Sequence, residues 1–313
     1  MRDLATHSGG FDNSKPYMTA DASKMFEELF RKRPVRPRGE RFEYACSNFV
    51  YLGLIVERLT GLDLDAAAKR MLWGPLGMAR TTWNTVVGES DVAEYPPSTY
   101  GGERPGALKR KIGERNDTCA HLAPRPMGNG AQFSTAPDML RRERFPAEYY
   151  ELQFSASFDR GGHRRSFGWD MKAEQSTFSA WAETAFSARA ICHTGWTGGA
   201  IAVDPERDFA GVVLGNRLAS KERTMGPRMR LLDLMAKWPG TIWCTPVFPP
   251  GPWDGMIVCE RNTQDEPFTP SEHRHRPRRH RRGARPRKAH ERRDKNETKQ
   301  YSINTLFDRC RIR

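Results

Sequence analysis

The chain has 313 residues, of which 37% are hydrophobic, and a formal net charge of +13. Residues 273–313 hold 16 Lys and Arg against 4 Asp and Glu, so residues 1–272 are close to neutral. That balance argues against a protein whose whole surface binds nucleic acid, because the body has no excess of cations for phosphates.

Several other classes of protein are disfavoured by the composition. The best apolar run, residues 49–56, is far shorter than the roughly 18 residues of a membrane span. Residues 1–7 lack the apolar segment of a signal peptide, so we expect a cytoplasmic protein. We also expect free thiols, no metal site and no cofactor, because there is no C-x-x-C pair. The six cysteines are Cys46, Cys119, Cys192, Cys244, Cys259 and Cys310.

The first 80 residues show helical patterns. Apolar residues recur at helical spacing over 20–33, and a Pro-rich loop follows at 34–40. A buried helix is predicted over 47–59, with Gly61 as its C-terminal cap. A further helix is predicted over 63–72. Residues 84–130 are rich in Gly, Pro and polar groups and indicate a long surface excursion with little regular structure.

The second half combines short strands with helices. Residues 134–138 are typical of a helix start, with a capping hydroxyl and an early proline. Residues 166–170 form a short β-like run, and a strand is predicted over 188–192. An antiparallel pair is predicted over 200–203 and 209–214, joined by a turn at 204–208. A last amphipathic helix is predicted over 227–238.

The composition changes near residue 240. Residues 239–267 are rich in Pro, Trp and Cys without any period, and residues 271–299 are polar and basic. Such segments cannot bury enough apolar surface to form a core. We therefore predict a folded domain over 1–240 and a Pro-rich, then basic, disordered tail over 241–313.

Five motifs, in this order, resemble those of the serine β-lactamase-like superfamily, which includes class C β-lactamases, penicillin-binding carboxypeptidases and related esterases. The resemblance covers about residues 2–237. The motifs are Leu4-Ala5-Thr6-His7-Ser8-Gly9, Tyr44-Ala45-Cys46 with the helix that follows, Gly74-Pro75-Leu76-Gly77-Met78, Gly128-Asn129-Gly130 with residues 131–138, and His193-Thr194-Gly195-Trp196.

The resemblance implies an α/β (α+β) fold, with an antiparallel sheet flanked by helices and a helical subdomain. It also implies acyl transfer through an acyl-serine, acting on a small ester or amide. Tyr44 and His193 would be the catalytic residues of this chain. Thr194, Gly195 and Trp196 would bind substrate, with the Trp196 N–H as an oxyanion donor. Cys46 stands where the family has an asparagine, so a substrate-binding amide would be lost.

One departure from the family is serious. The family's nucleophile lies in a Ser-x-x-Lys turn, and here no Ser or Thr is followed by Lys three residues later. That turn would precede the Thr6-His7 segment, so we expect the N-terminal strands and the nucleophile helix to be missing. Weak or absent activity follows from this expectation.

Structural roles are expected for several other conspicuous residues. We interpret Ser8 and Ser134 as turn or capping residues and expect His7 to stabilise its own loop. The alternative function is a non-catalytic binding protein that contacts nucleic acid or another anionic surface through residues 273–313. A tail without function, or a translation of non-native sequence, is also compatible with this composition.

Overall fold

A computed structural model describes residues 1–17, 21–83, 113–141, 147–181, 185–215, 226–237, 241–247 and 256–262. Its helices are α1 (Arg2–Ala5), α2 (Ala22–Arg31), α3 (Cys46–Thr60), α4 (Leu64–Ala68), α5 (Gly74–Leu76), α6 (Thr118–Leu122), α7 (Ala136–Met139), α8 (Ala147–Phe154), α9 (Thr177–Trp181) and α10 (Gly226–Met235). A π-helical turn, Lys69–Trp73, joins α4 to α5.

One sheet runs through the second half of the chain, with its strands in sequence order. Neighbouring strands from β1 to β6 are antiparallel. The strands are β1 (Phe158–Arg160), β2 (His163–Arg165), β3 (Asp170–Met171), β4 (Ile191–Thr194), β5 (Ala200–Asp204), β6 (Phe209–Val213), β7 (Thr241–Val247) and β8 (Met256–Asn262). Strand β7 pairs in parallel with β6, and β8 pairs antiparallel with β7.

Two main clusters of buried side chains form the core. One lies between the sheet and helices α9 and α10, and includes Phe178, Phe186, Phe209, Met229 and Leu232. The other joins helices α2, α3 and α6, and includes Tyr17, Met25, Leu29, Val50 and Met127. The predicted α/β class, with an antiparallel sheet flanked by helices and a separate helical part, is confirmed.

Local signals placed several elements correctly. Helix α3 is capped by Gly61, whose φ of 70° is left-handed and whose N–H donates to the Glu57 carbonyl. Only its first half is buried; Val56 and Leu59 are exposed, so the prediction that this whole helix is buried is wrong. The Thr135 hydroxyl accepts a hydrogen bond from the N–H of Asp138 at the start of α7. The predicted antiparallel pair is β5 with β6, in which Ala202 lies opposite Gly211.

Other predictions differ from the structure. The strand expected over 188–192 begins only at Ile191, because Ala190 closes a turn by donating to the Ser187 carbonyl at 3.3 Å. Helix α6 lies inside the predicted excursion, where Asp117 caps it by accepting from the Ala120 N–H.

Strands β7 and β8 also lie in a segment that showed no period. Residues 84–112 and 263–313 fall outside the described part of the chain, so the disordered tail stays a prediction, as does the domain boundary near 240. No described helix combines the length and apolar character needed to cross a membrane.

Candidate active site

A cavity of about 220 Å³ lies where the helical part meets the sheet. Its lining residues come mainly from the segment after α1, the start of α3, the loop before α7 and strand β4. The lining residues are His7, Tyr44, Cys46, Phe49, Gly128, Asn129, Gly130, Gly168 and His193. The structure thus brings His193 next to Tyr44 and Cys46, from which it is far apart in the sequence.

Tyr44 is held in place by His7. The His7 carbonyl accepts a hydrogen bond from the Glu43 N–H at 2.9 Å, and its ring Nδ1 accepts from the Ala45 N–H at 3.3 Å. These two bonds bracket Tyr44, whose ring centroid lies 4.4 Å from that of His7. His7 reaches this position through a left-handed backbone, with φ at 54°. It therefore stabilises the loop, as expected, and also lines the cavity.

The environment of Tyr44 keeps its phenol protonated at neutral pH. Partial burial is the main cause that raises the pKa of Tyr44 to about 12, and the hydrogen bond with Cys46 acts in the same direction. The Arg165 cation opposes this shift. A phenol with so high a pKa donates a proton at pH 7 more readily than it accepts one.

Cys46 is the first residue of α3 and is buried, with 9% of its surface exposed. Its N–H donates to the Asn13 Oδ1 at 3.1 Å. The thiol is free, as are those of Cys119 and Cys192 among the described cysteines. A thiol has no amide to offer a ligand, so Cys46 supplies shape and a weak donor to the cavity.

His193 is held neutral by its surroundings. It lies in β4 opposite Ile201 of β5. Burial lowers the pKa of His193, and the Arg165 cation lowers it further, while the Asp170 carboxylate opposes both. At neutral pH this imidazole is therefore uncharged and can act as a hydrogen-bond donor or acceptor.

The other predicted site residues follow His193 but do not line the cavity. Thr194 ends β4, and the turn after it is held by Arg228, whose Nη1 donates to the carbonyls of Gly195 at 2.9 Å and Gly199 at 3.0 Å. The Trp196 side chain is 62% exposed. Thr194, Gly195 and Trp196 are therefore neighbours of the cavity residue His193 in the chain but are not lining residues themselves. A substrate-binding role for them remains a prediction.

The sequence model of the beta-lactamase family, described as "Beta-lactamase", matches residues 1–234. The chain belongs to this family. That assignment and the antiparallel sheet with its helices confirm the fold predicted from the motifs.

Relatives of this beta-lactamase-family chain support the assignment. A putative D-alanyl-D-alanine carboxypeptidase of Salmonella schwarzengrund (strain CVM19633) is 25% identical over 244 residues, covering 69% of this chain and 56% of the relative. A putative D-alanyl-D-alanine carboxypeptidase of Salmonella typhi is 24% identical over 244 residues, which again cover 69% of this chain and 56% of the relative. The chain thus spans 56% of the length of these curated relatives.

Two solved structures are similar to this chain over about two thirds of its length. EstCE1, described as a hydrolase with promiscuous acyltransferase activity, matches with a TM-score of 0.50 and 17% identity, covering 66% of this chain and 63% of that one. The beta-lactamase/D-alanine carboxypeptidase of Pseudomonas syringae matches with a TM-score of 0.47 and 19% identity, covering 64% and 62%.

Sequence reasoning missed three residues of the site. His7 was interpreted as purely structural, Asn129 appeared only as part of a Gly-rich turn, and Arg165 was not singled out. The Arg165 guanidinium pairs with the Asp170 carboxylate at 3.0 Å, and both side chains are buried. A signal existed for Asn129, since an asparagine between two glycines brings a polar side chain to a closely packed turn.

Acid should weaken the fold through His7. Burial above all, and then the charges of Arg165 and His193, lower the pKa of His7 from 6.5 to about 3. When the pH falls below 6.5, His7 therefore becomes protonated in the unfolded chain but stays neutral in the folded chain. The stabilisation is complete above that pH and is lost as the pH falls from about 6.5 towards 3. Between pH 7 and 5.5, His7 alone should remove about 1 kcal/mol of unfolding free energy.

Urea unfolding at the two pH values measures this loss. His7→Asn keeps a residue that tolerates the left-handed backbone but cannot titrate, so its loss between pH 7 and 5.5 should be about 1 kcal/mol smaller. The same pH dependence in both proteins would show that His7 does not contribute.

Proposed function

We propose that this chain carries the Tyr44 and His193 side of a β-lactamase-type acyl-transfer site for a small amide or ester. The observation that carries the proposal is that one cavity is lined by both residues. Cys46, the first residue of α3, lines the same cavity. Membership of the beta-lactamase family supports acyl-group chemistry at this place. The Salmonella relatives, which are putative carboxypeptidases, point to an amide substrate.

In this proposal each residue has a role set by its protonation state. Where a nucleophile from outside these residues bonds to the carbonyl carbon, Tyr44, protonated at neutral pH, would donate its proton to the leaving group as the carbonyl–heteroatom bond breaks. His193, neutral at the same pH, orients the ligand by a hydrogen bond. Thr194 and Gly195 align the ligand along the edge of β4, and the Trp196 N–H faces the carbonyl oxygen as an oxyanion donor.

We further propose that these 313 residues form no acyl-serine by themselves. Acylation needs a serine Oγ that attacks the carbonyl carbon and a base that takes its proton. The family pairs the two in Ser-x-x-Lys, and no Ser or Thr of this sequence is followed by Lys at that spacing. The expected activity is therefore weak or absent.

Covalent labels test this proposal. The 313-residue protein incubated with a fluorophosphonate or with penicillin should keep its unmodified mass, because no activated serine attacks either reagent. Denatured protein treated in the same way is the control for non-specific modification. Stoichiometric labelling of one serine in the folded protein would contradict the proposal and identify the nucleophile.

A second proposal concerns residues 273–313, whose excess of cations attracts polyanions. Binding of RNA that weakens steeply with salt, and that is lost when the arginines of 278–282 are replaced by glutamine in the full chain, would support it. Salt-independent binding, or no binding, would leave the tail without this function.

A further inference from the structure

A groove of about 770 Å³ lies between the end of α2 and helix α3. This α2–α3 groove shares no lining residue with the cavity of Tyr44 and His193, so the proposed acyl-transfer site does not use it. Its volume is in the range of small-molecule sites, roughly 300–1,000 Å³. The groove is therefore a candidate site for a second kind of ligand.

The walls of the groove are mainly apolar. Residues at positions i, i+3, i+4 and i+7 share one face of a helix, and α3 supplies such a set: Tyr51, Leu54, Ile55 and Arg58. The Phe11 ring packs beside Tyr51, with the ring centroids 5.1 Å apart. From α2, Phe30 lines the groove and is 57% exposed. A continuous apolar surface that solvent reaches is typical of a binding site.

The groove also carries an excess of positive charge. One carboxylate, that of Glu57, lines it together with four cations: Lys32, Arg33, Arg58 and Arg125. Arg125 pairs with Glu57 at 2.7 Å, and Lys32 pairs at 2.6 Å with Asp12, which lies outside the groove. These two pairs neutralise each other's charges and leave Arg33 and Arg58.

Arg33 and Arg58 have no carboxylate partner among the described residues. The Arg33 Nη1 donates to the backbone carbonyls of Phe30 and Lys32. Its charge reaches α3, because burial raises the pKa of Tyr51 and Arg33 opposes that shift. Arg58 is exposed in the last turn of α3. The apolar walls are thus combined with uncompensated positive charge.

We propose that the α2–α3 groove binds a long-chain carboxylate, with its hydrocarbon chain along the apolar face of α3 and its head group at Arg58. A guanidinium pairs with a carboxylate through two parallel N–H···O bonds. From Tyr51 to Arg58 the helix rises about 10 Å, which suits a chain of medium length such as that of decanoate. An amphiphile of this kind matches both the apolar walls and the sign of the charge.

Charge also argues against a second copy of this chain as the occupant. In a two-fold interface the same patch of both copies meets. Two grooves with an excess of arginine would therefore repel each other. A small anionic amphiphile carries the opposite charge and has no such penalty.

Isothermal titration calorimetry of the 313-residue protein tests the proposal with three probes, each below its critical micelle concentration. They are sodium decanoate, sodium hexanoate and decyltrimethylammonium bromide. Decanoate should bind at least about tenfold more tightly than hexanoate, because a fully buried CH₂ contributes up to about fourfold and decanoate has four more. It should bind about fivefold more tightly than the ammonium amphiphile.

Four variants of exposed residues locate the site. Arg58→Gln should reduce the preference for decanoate over the ammonium probe from about fivefold to about twofold. Arg70→Gln removes the same charge from an exposed residue outside the groove and should keep the preference. Phe30→Ala should weaken decanoate about threefold. Leu59→Ala, at a residue of α3 that is 72% exposed and outside the groove, should not.

Several results would overturn the inference. They are no binding of decanoate, equal binding of decanoate and hexanoate, and equal effects of Arg58→Gln and Arg70→Gln. Equal binding of the two carboxylates is the result expected if only the basic residues of 273–313 attract them. Sedimentation of the same samples adds one more outcome. A dimer that Phe30→Ala dissociates would assign the groove to a second copy of the chain and also overturn the inference.

Discussion

Replacing Arg165 with methionine is expected to lower the free energy of unfolding by about 3–5 kcal/mol. Arg165 in β2 lies directly opposite Asp170 in β3, and the two charged groups are 3.0 Å apart with side chains only 8% and 9% exposed. The variant would leave the Asp170 carboxylate buried without its counter-ion. Among the residues that the structure describes, Asp170 would keep the hydrogen bond that it accepts from the Thr177 N–H at 2.7 Å.

Chemical denaturation measures this effect, and two further variants isolate it. Arg189→Met removes an exposed arginine that lies 3.7 Å from Glu151, and should cost about 0.5 kcal/mol or less. Adding Asp170→Asn to Arg165→Met should restore part of the loss, because the unpaired charge is removed. A loss below about 1 kcal/mol in Arg165→Met would show that the pair is not buried in solution.

The same variant should change the titration of the site. Arg165 lowers the pKa of both His7 and His193. Without that cation, both values should rise, which NMR titration of the two imidazoles would detect. Loss of packing would also raise both values, because burial lowers them too. Arg165→Lys is therefore the control: it keeps the cation and should leave both pKa values low.

The fold was predictable where local signals agree with tertiary packing. Helix α3 was visible because apolar residues repeat at helical spacing and a glycine follows them. The β5–β6 pair was visible because two apolar runs flank a polar turn. Strands β7 and β8 were not predicted, since their segment shows no alternation of apolar and polar residues. Strand β7 pairs with β6 through a long-range contact, and β8 pairs with β7.

The site was predictable only as far as its motifs reach. Tyr44 and His193 were found because family-like motifs contain them. His7 and Ala45, by contrast, lie 38 positions apart, and only the folded chain shows that one binds the other. Arg165 was hidden for a similar reason. It follows Arg164 in the sequence, and only the strand register shows that Arg165 is the buried arginine that meets Asp170.

Gly128→Ala is expected to lower the free energy of unfolding by about 3 kcal/mol, the upper end for overpacking. A Cβ at Gly128 would lie 2.2 Å from the Phe49 carbonyl oxygen and 3.0 Å from the Gly53 nitrogen. Both are backbone atoms of α3, so no side chain can move aside to make room. The helix or the loop would have to shift as a unit.

Gly199→Ala is the matched control, since a Cβ there would meet nothing nearer than 4.0 Å. It should change the free energy of unfolding by about 0.5 kcal/mol or less. An alanine at 128 that leaves the free energy of unfolding unchanged would show that α3 and the loop are not in close contact at this glycine.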